Sequence, residues 1–193
     1  MGDNGHVVKF DGLPEAYPTH LHQPEFWEWL GRVVGTFGFL ENTLARAIFA
    51  FSGTREYAKE DVQSAFVAWV PKLEKSLSDT LHPLIRAYEQ EVLSHQHTKP
   101  ENFDALIRDL KEAAELRNVL CHGSWSVPNA EGASVPFFMR SKDKMFFDTP
   151  VDVAYLRQTQ KGTMELAAAV INTVTVMGYR FPGVTKGLGR NIF

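Results

Sequence analysis

The chain has 193 residues, 44% of them hydrophobic and 22% charged, with a net charge of −3. That is the length and balance of one soluble domain with a substantial core, and its negative charge excludes the chain as a whole from electrostatic binding of nucleic acid; such a contact would need a local patch. The single cysteine excludes an intramolecular disulfide and a cysteine-based zinc cluster. No apolar run approaches the ~20 residues of a membrane span. The first twenty residues lack the apolar core of a secretion signal, so a cytoplasmic protein without a membrane partner is expected.

Residues 1–23 are rich in Gly, Pro and His and predict an irregular lead-in. Pro24 and Glu25 form a good first turn, and Phe26, Leu30, Val33, Phe37, Leu40, Leu44, Ile48 and Phe51 then recur at helical spacing. A helix over 24–51 is expected, ended by Ser52-Gly53, with Glu41 intruding near its apolar stripe. Residues 55–70 predict a shorter helix carrying Phe66, Trp69 and Val70. Pro71 is expected to restart the chain into a helical stretch over 72–95, broken or kinked at Pro83, with Leu73 and Leu77 among its apolar residues. Residues 95–99 predict a solvent-exposed polar link, and Pro100 opens a fourth helix ending at His122.

The helical period is lost over 124–148, where short β-like pieces are expected at 124–127, 135–140 and 144–147, with turns at 129–132 and 141–143. Helical pattern returns after Pro150 and runs to about Met177. Residues 178–193 carry Arg180, Lys186 and Arg190 against no acid and predict a mobile basic tail. The expected fold is mainly α: a bundle of four to five helices in a single domain over 24–177, with a small β-hairpin or meander inserted before the last long helix.

The most informative stretch is Arg117-Asn118-Val119-Leu120-Cys121-His122-Gly123. On a wheel of roughly 100° per residue, Leu106, Leu110, Ala113, Ala114, Leu120 and Cys121 gather on one face with Arg117 at its middle. A permanent charge there needs a partner or a task. Glu41 is the partner expected from the first helix. His122 falls on the flank, near Asn118 in azimuth, and Gly123 offers a helix stop.

The arginine, the polar residue after it, three more residues and then histidine resemble the signature of the HEPN superfamily of small all-α proteins. Gly123 extends the match, and Glu41 in Phe39-Leu40-Glu41-Asn42-Thr43-Leu44 resembles the family's first helix. The resemblance covers residues 24–122 and 150–177. It implies a metal-independent endoribonuclease with Arg117, Asn118 and His122 as catalytic residues and Glu41 in support, and no cofactor or metal. It also implies a homodimer whose two motifs face one groove, RNA as substrate, and a toxin–antitoxin or defence setting with an antitoxin or nucleotidyltransferase-like partner. The alternative is a non-catalytic interaction module that binds such a partner or a nucleotide.

The same residues have plainer readings. Arg117 is also explained as a structural arginine neutralised by Glu41, and His122 as a histidine favoured by the helix C-terminal dipole. Cys121 reads as a small core residue, although a nearby cation would lower its pKa. His20 and His22 alternate with Leu21, placing both on one side of an extended strand, and do not complete a metal site. His95 and His97 read as exposed linker. Trp27, Trp29, Phe37 and Phe39 exceed one buried stripe and mark either a dimer face or a helix buried on two sides.

Overall fold

The computed structural model of the protein describes residues 9–55, 57–95, 100–140 and 144–183. Its described helices are α1 (Pro24–Ser52), α2 (Val62–Ser78), α3 (Leu81–Ser94), α4 (Phe103–His122) and α5 (Val153–Val176), preceded by a 3-10 turn at Phe10–Gly12. This is the mainly α architecture that the periodicity predicts. No described helix is long and apolar enough to cross a membrane.

The first helix organises the rest. Pro24 fills its first position, where the missing N–H has no intrahelical partner, and Gly53 closes it by donating to the Phe49 carbonyl at 2.9 Å. All eight residues of its predicted apolar stripe are buried, with Val33, Leu40, Leu44 and Phe51 fully inaccessible. Every other helix packs against it. Alongside α5 it runs parallel: Glu25 at its start bonds Arg157 at 2.6 Å, and Phe51 at its end packs on Tyr179 at 5.5 Å. Helix α4 runs antiparallel to α3, as the Lys111–Glu89 (3.0 Å) and His82–Glu115 (3.2 Å) pairs require. The chain therefore leaves α4 near the start of α1 and crosses over before descending again as α5. Asp152 caps α5, its Oδ1 accepting from the Tyr155 amide at 2.7 Å.

Three expectations change. Pro71 does not restart the chain but lies inside α2; the break falls at Asp79 and Thr80. Helix α2 lies outside the bundle, with Ser76 its only buried residue, so a proline on an exposed side leaves its freed carbonyl to water. Leu77 is correspondingly 71% exposed rather than core. Pro83 sits in the first turn of α3, where an N–H is not needed.

The expected β-hairpin is not seen among the described residues. The described part of 124–151 contains only isolated antiparallel bridges, Ser124 with Phe137, Ser134 with Val151 and Met139 with Phe146. Pro136 and Pro150 stand directly beside two of these bridges and cannot donate to a ladder. The turn at 129–132 is present: the Asn129 Oδ1 accepts from the amides of Glu131 and Ala133. The turn expected at 141–143 lies outside the described residues.

His95 and the first part of the basic tail are also not solvent-exposed appendages. His95 Nε2 donates to the Phe51 carbonyl at 2.9 Å, which leaves Nδ1 to accept from the Tyr179 hydroxyl at 2.8 Å. Phe181 is buried in the core. Tyr179 and Phe181 are therefore packed on the core while Gly178, Arg180 and Gly183 are exposed, and His97 and residues 184–193 lie outside the described residues.

Core and surface are expected to respond differently to truncation. Phe37 is 1% exposed, so Phe37→Ala should cost about 3–5 kcal/mol in urea unfolding. Leu77→Ala should stay within about 0.5 kcal/mol. A large loss from Leu77→Ala would contradict the placement of α2.

Candidate functional site

The face that α4 buries is set by Phe103, Ile107, Leu110, Ala114 and Leu120. Leu106, Ala113, Arg117 and Cys121 are only half-buried. The buried sector is therefore turned toward Ile107 and Ala114, and Arg117 stands at its edge rather than at its middle.

At that edge Arg117 meets α1. Its Nη2 lies 3.8 Å from Glu41 Oε1, and both side chains are 25% exposed. Two helices thus bring together the charged residues that the sequence pairs. The contact is coulombic, not a hydrogen bond: Glu41 Oε1 is buried and has no hydrogen-bond partner among the described residues. The guanidinium is tethered by charge while its five N–H donors stay uncommitted within the described structure.

Asn118 is half-buried and His122, the last residue of α4, is exposed. No hydrogen bond joins Asn118 to His122, although the two lie near each other in azimuth. Arg117 and His122 are separated by about 7.5 Å of helix rise, a span that an arginine side chain can bridge toward one ligand. Cys121 lies within the field of both charged residues. Burial pushes its thiol up; Arg117 opposes this and Glu41 adds to it. The net direction favours the neutral thiol at Cys121.

The close of α4 is fixed by Gly123, whose amide donates to the Val119 carbonyl at 2.8 Å. A Cβ at this position would lie 2.6 Å from that carbonyl and 2.7 Å from Pro136 Cβ. The backbone of the crossover thus passes directly against the residue that follows His122. The glycine reads in the sequence as a helix stop, but its contact with Pro136 has no local signal.

A second anchor holds the crossover from the lead-in. His22 is buried and lies in a bend rather than an extended strand, and its Nε2 bonds Ser134 Oγ at 2.9 Å. Its ring stacks on Phe26 at 4.3 Å and meets Trp27 and Trp125 edge-on. Sequence reasoning missed this pair, which is 112 residues apart. His20 does not join it; that ring stacks on Tyr17 instead. Trp27 and Trp29 are half-buried, Phe37 is buried and Phe39 is 40% exposed, so intramolecular packing uses most of the excess aromatic surface of α1. Among the described residues no group of three His, Cys, Asp or Glu side chains is placed to hold a metal ion.

Comparison with family models, with curated proteins and with solved structures finds no match to the chain.

Two measurements test these anchors. Gly123→Ala should destabilise the protein by about 1–3 kcal/mol, because neither the carbonyl nor the proline ring can yield without moving the backbone; a neutral substitution would contradict the close approach. Burial lowers the pKa of His22 from its ordinary 6.5. The unfolded chain then holds this proton more tightly, so the stabilisation is full above that value and is lost as pH falls through it. Between pH 7.5 and 5.5 the wild type should lose more stability than His22→Gln, and equal slopes would mean that His22 titrates as a free side chain.

Proposed function

We propose that the chain is a metal-independent endoribonuclease of the HEPN type. The observation that carries this reading is the pairing of an uncommitted guanidinium at Arg117 with an exposed imidazole at His122 on one helix end. Cleavage by this route needs a proton carrier and a group that stabilises charge on the phosphorane. The ribose 2′-oxygen bonds to the adjacent phosphorus, the P–O5′ bond breaks, and the products are a 2′,3′-cyclic phosphate and a 5′-hydroxyl. His122 moves the proton, since histidine titrates near neutrality. Arg117 presents its planar fork to the phosphate oxygens, held in place by Glu41. Asn118 is the third polar group, available to substrate rather than to His122. The site is thin in one chain, and a homodimer placing two such motifs across a two-fold axis completes it. A toxin or defence role, held in check by an antitoxin or a nucleotidyltransferase-like partner, fits this activity.

A second reading is favoured by a separate observation. Helix α2 exposes Val62, Phe66, Val67 and Leu77 to solvent. An apolar patch of this kind suits a protein partner, as in a non-catalytic interaction module.

Purified protein incubated with structured and single-stranded RNA in EDTA separates the two. Cleavage is expected, with Arg117→Ala and His122→Ala each lowering the rate by about 10²-fold or more while the fold is retained. An inactive wild type across a broad RNA panel would sink the enzyme reading. Toxicity on expression that the His122→Ala variant abolishes would sink the alternative.

A further inference from the structure

A groove of about 610 Å³ runs between α4 and α5. Both helices rest on α1, and the residues that line the groove recur along each at helical spacing: Leu106, Ala113 and Leu116 on α4, Gly162, Leu166 and Ala169 on α5. Rows of residues three and four apart are what one helix offers to the ridges of another. From Asn102 to Leu116 the groove follows α4 for about 21 Å. Its apolar floor is only half-buried, so water reaches Leu106, Leu116 and Leu166. The small residues keep it open, and a Cβ on Gly162 would meet nothing within 4 Å. The shape suits a third helix laid along the other two.

The rim is acidic. Asp109 and Glu112 are exposed on the α4 edge and Glu165 on the α5 edge, and no basic residue lines the groove. Arg108 lies 3.3 Å from Asp109 and Lys161 lies 3.8 Å from Glu165, both at exposed positions where such pairs contribute little. Glu112 makes no ion pair among the described residues. A complementary occupant is therefore apolar on one face and basic along its flanks.

The apolar helix face that a second copy would offer, on α2, does not have this character. At about 100° per residue Glu74 falls between Leu77 and Val67 on the exposed side of that helix. Docked in the groove, it would set acid against an acidic rim, with a net charge of −3 on each chain.

We propose that the α4/α5 groove binds an amphipathic helix of another protein, with apolar side chains every third or fourth residue on the floor and Lys or Arg along both edges. The assignment uses neither Arg117 and His122 nor the α2 patch, so it is independent of both functional readings.

The test titrates the full chain with two synthetic peptides of about 14 residues, the helix length that fits the groove at 1.5 Å per residue. Both carry Leu at every third or fourth position and Ala on the far side; the flanking positions are Lys in one peptide and Glu in the other. The Lys peptide should bind at least about tenfold more tightly than the Glu peptide. It should lose affinity as salt is raised and shift the methyl resonances of Leu106, Leu116 and Leu166. Glu112→Lys with Glu165→Lys, both at exposed positions, should reverse the preference between the peptides. Gly162→Phe should abolish binding by filling the groove, with the fold checked by thermal unfolding. No binding of the Lys peptide below about 1 mM, equal affinity for the two peptides, shifts that map to α2 instead, a preference unmoved by the charge reversal, or binding that survives Gly162→Phe would each overturn the proposal. So would a dimer of the chain alone whose formation shifts the same three leucines, since the groove would then belong to a second copy.

Discussion

The seam along α1 is the constraint on which the rest of the structure depends. A single helix buries an unbroken apolar stripe from Phe26 to Phe51, and the four other helices are arranged by where they can cover it. Covering its whole length with a parallel α5 means that the chain must return to the start of α1 before α5 begins. Helix α4 supplies that return, so its C-terminal end arrives at the same end of the bundle as the N-terminus of α1. The placement of Arg117 and His122 follows from this connection. So does the aromatic cluster of Phe26, Trp27 and Trp125, which seals the end where the crossover leaves α4.

The Glu41–Arg117 pair sits at the edge of this seam, and its energetics say what it can contribute. Two charges about 4 Å apart attract by roughly 4 kcal/mol at an effective dielectric of 20, but desolvation and side-chain entropy offset most of this. Partly exposed pairs contribute about 0–1 kcal/mol net. At 3.8 Å, without a hydrogen bond, this pair belongs with the weak ones. Its main effect is on direction: the carboxylate biases the guanidinium toward α1 without taking a hydrogen bond from it. A bidentate pair would have stabilised more and left less of the arginine for a ligand.

What was legible in the sequence follows the range of the interactions involved. The stripe of α1 and the limits of α1, α4 and α5 depend on periodicity and end signals within a few turns, and these read correctly. The Glu41–Arg117 contact was also accessible, because each charge interrupts an apolar stripe and two such interruptions suggest one another. Pro71 misled because the cost of a proline inside a helix is lower where its freed carbonyl reaches water and the turn can bend outward, and that exposure is a tertiary property. The residues around Ser124 and Phe137 have strand-like composition, yet Pro136 stops the ladder at one bridge. His22–Ser134 and His95–Tyr179 were invisible, since each joins residues more than 80 positions apart.

The last residue of a helix is where the backbone ladder runs out of partners, so His122 needs restraint from outside α4 to hold a defined position. Two contacts supply it from different parts of the chain. Pro136 presses on Gly123 from the crossover, and His22 grips Ser134, two residues before that proline, from the lead-in. The lead-in is itself fixed to α1, because the Trp27 indole donates to the Thr19 carbonyl at 2.8 Å. A continuous path therefore runs from α1 through Thr19, His22, Ser134 and Pro136 to the end of α4. It meets the shorter path from α1 through Glu41 to Arg117. The backbone at the end of α4 and the side chain of Arg117 are thus referenced to the same helix by separate routes.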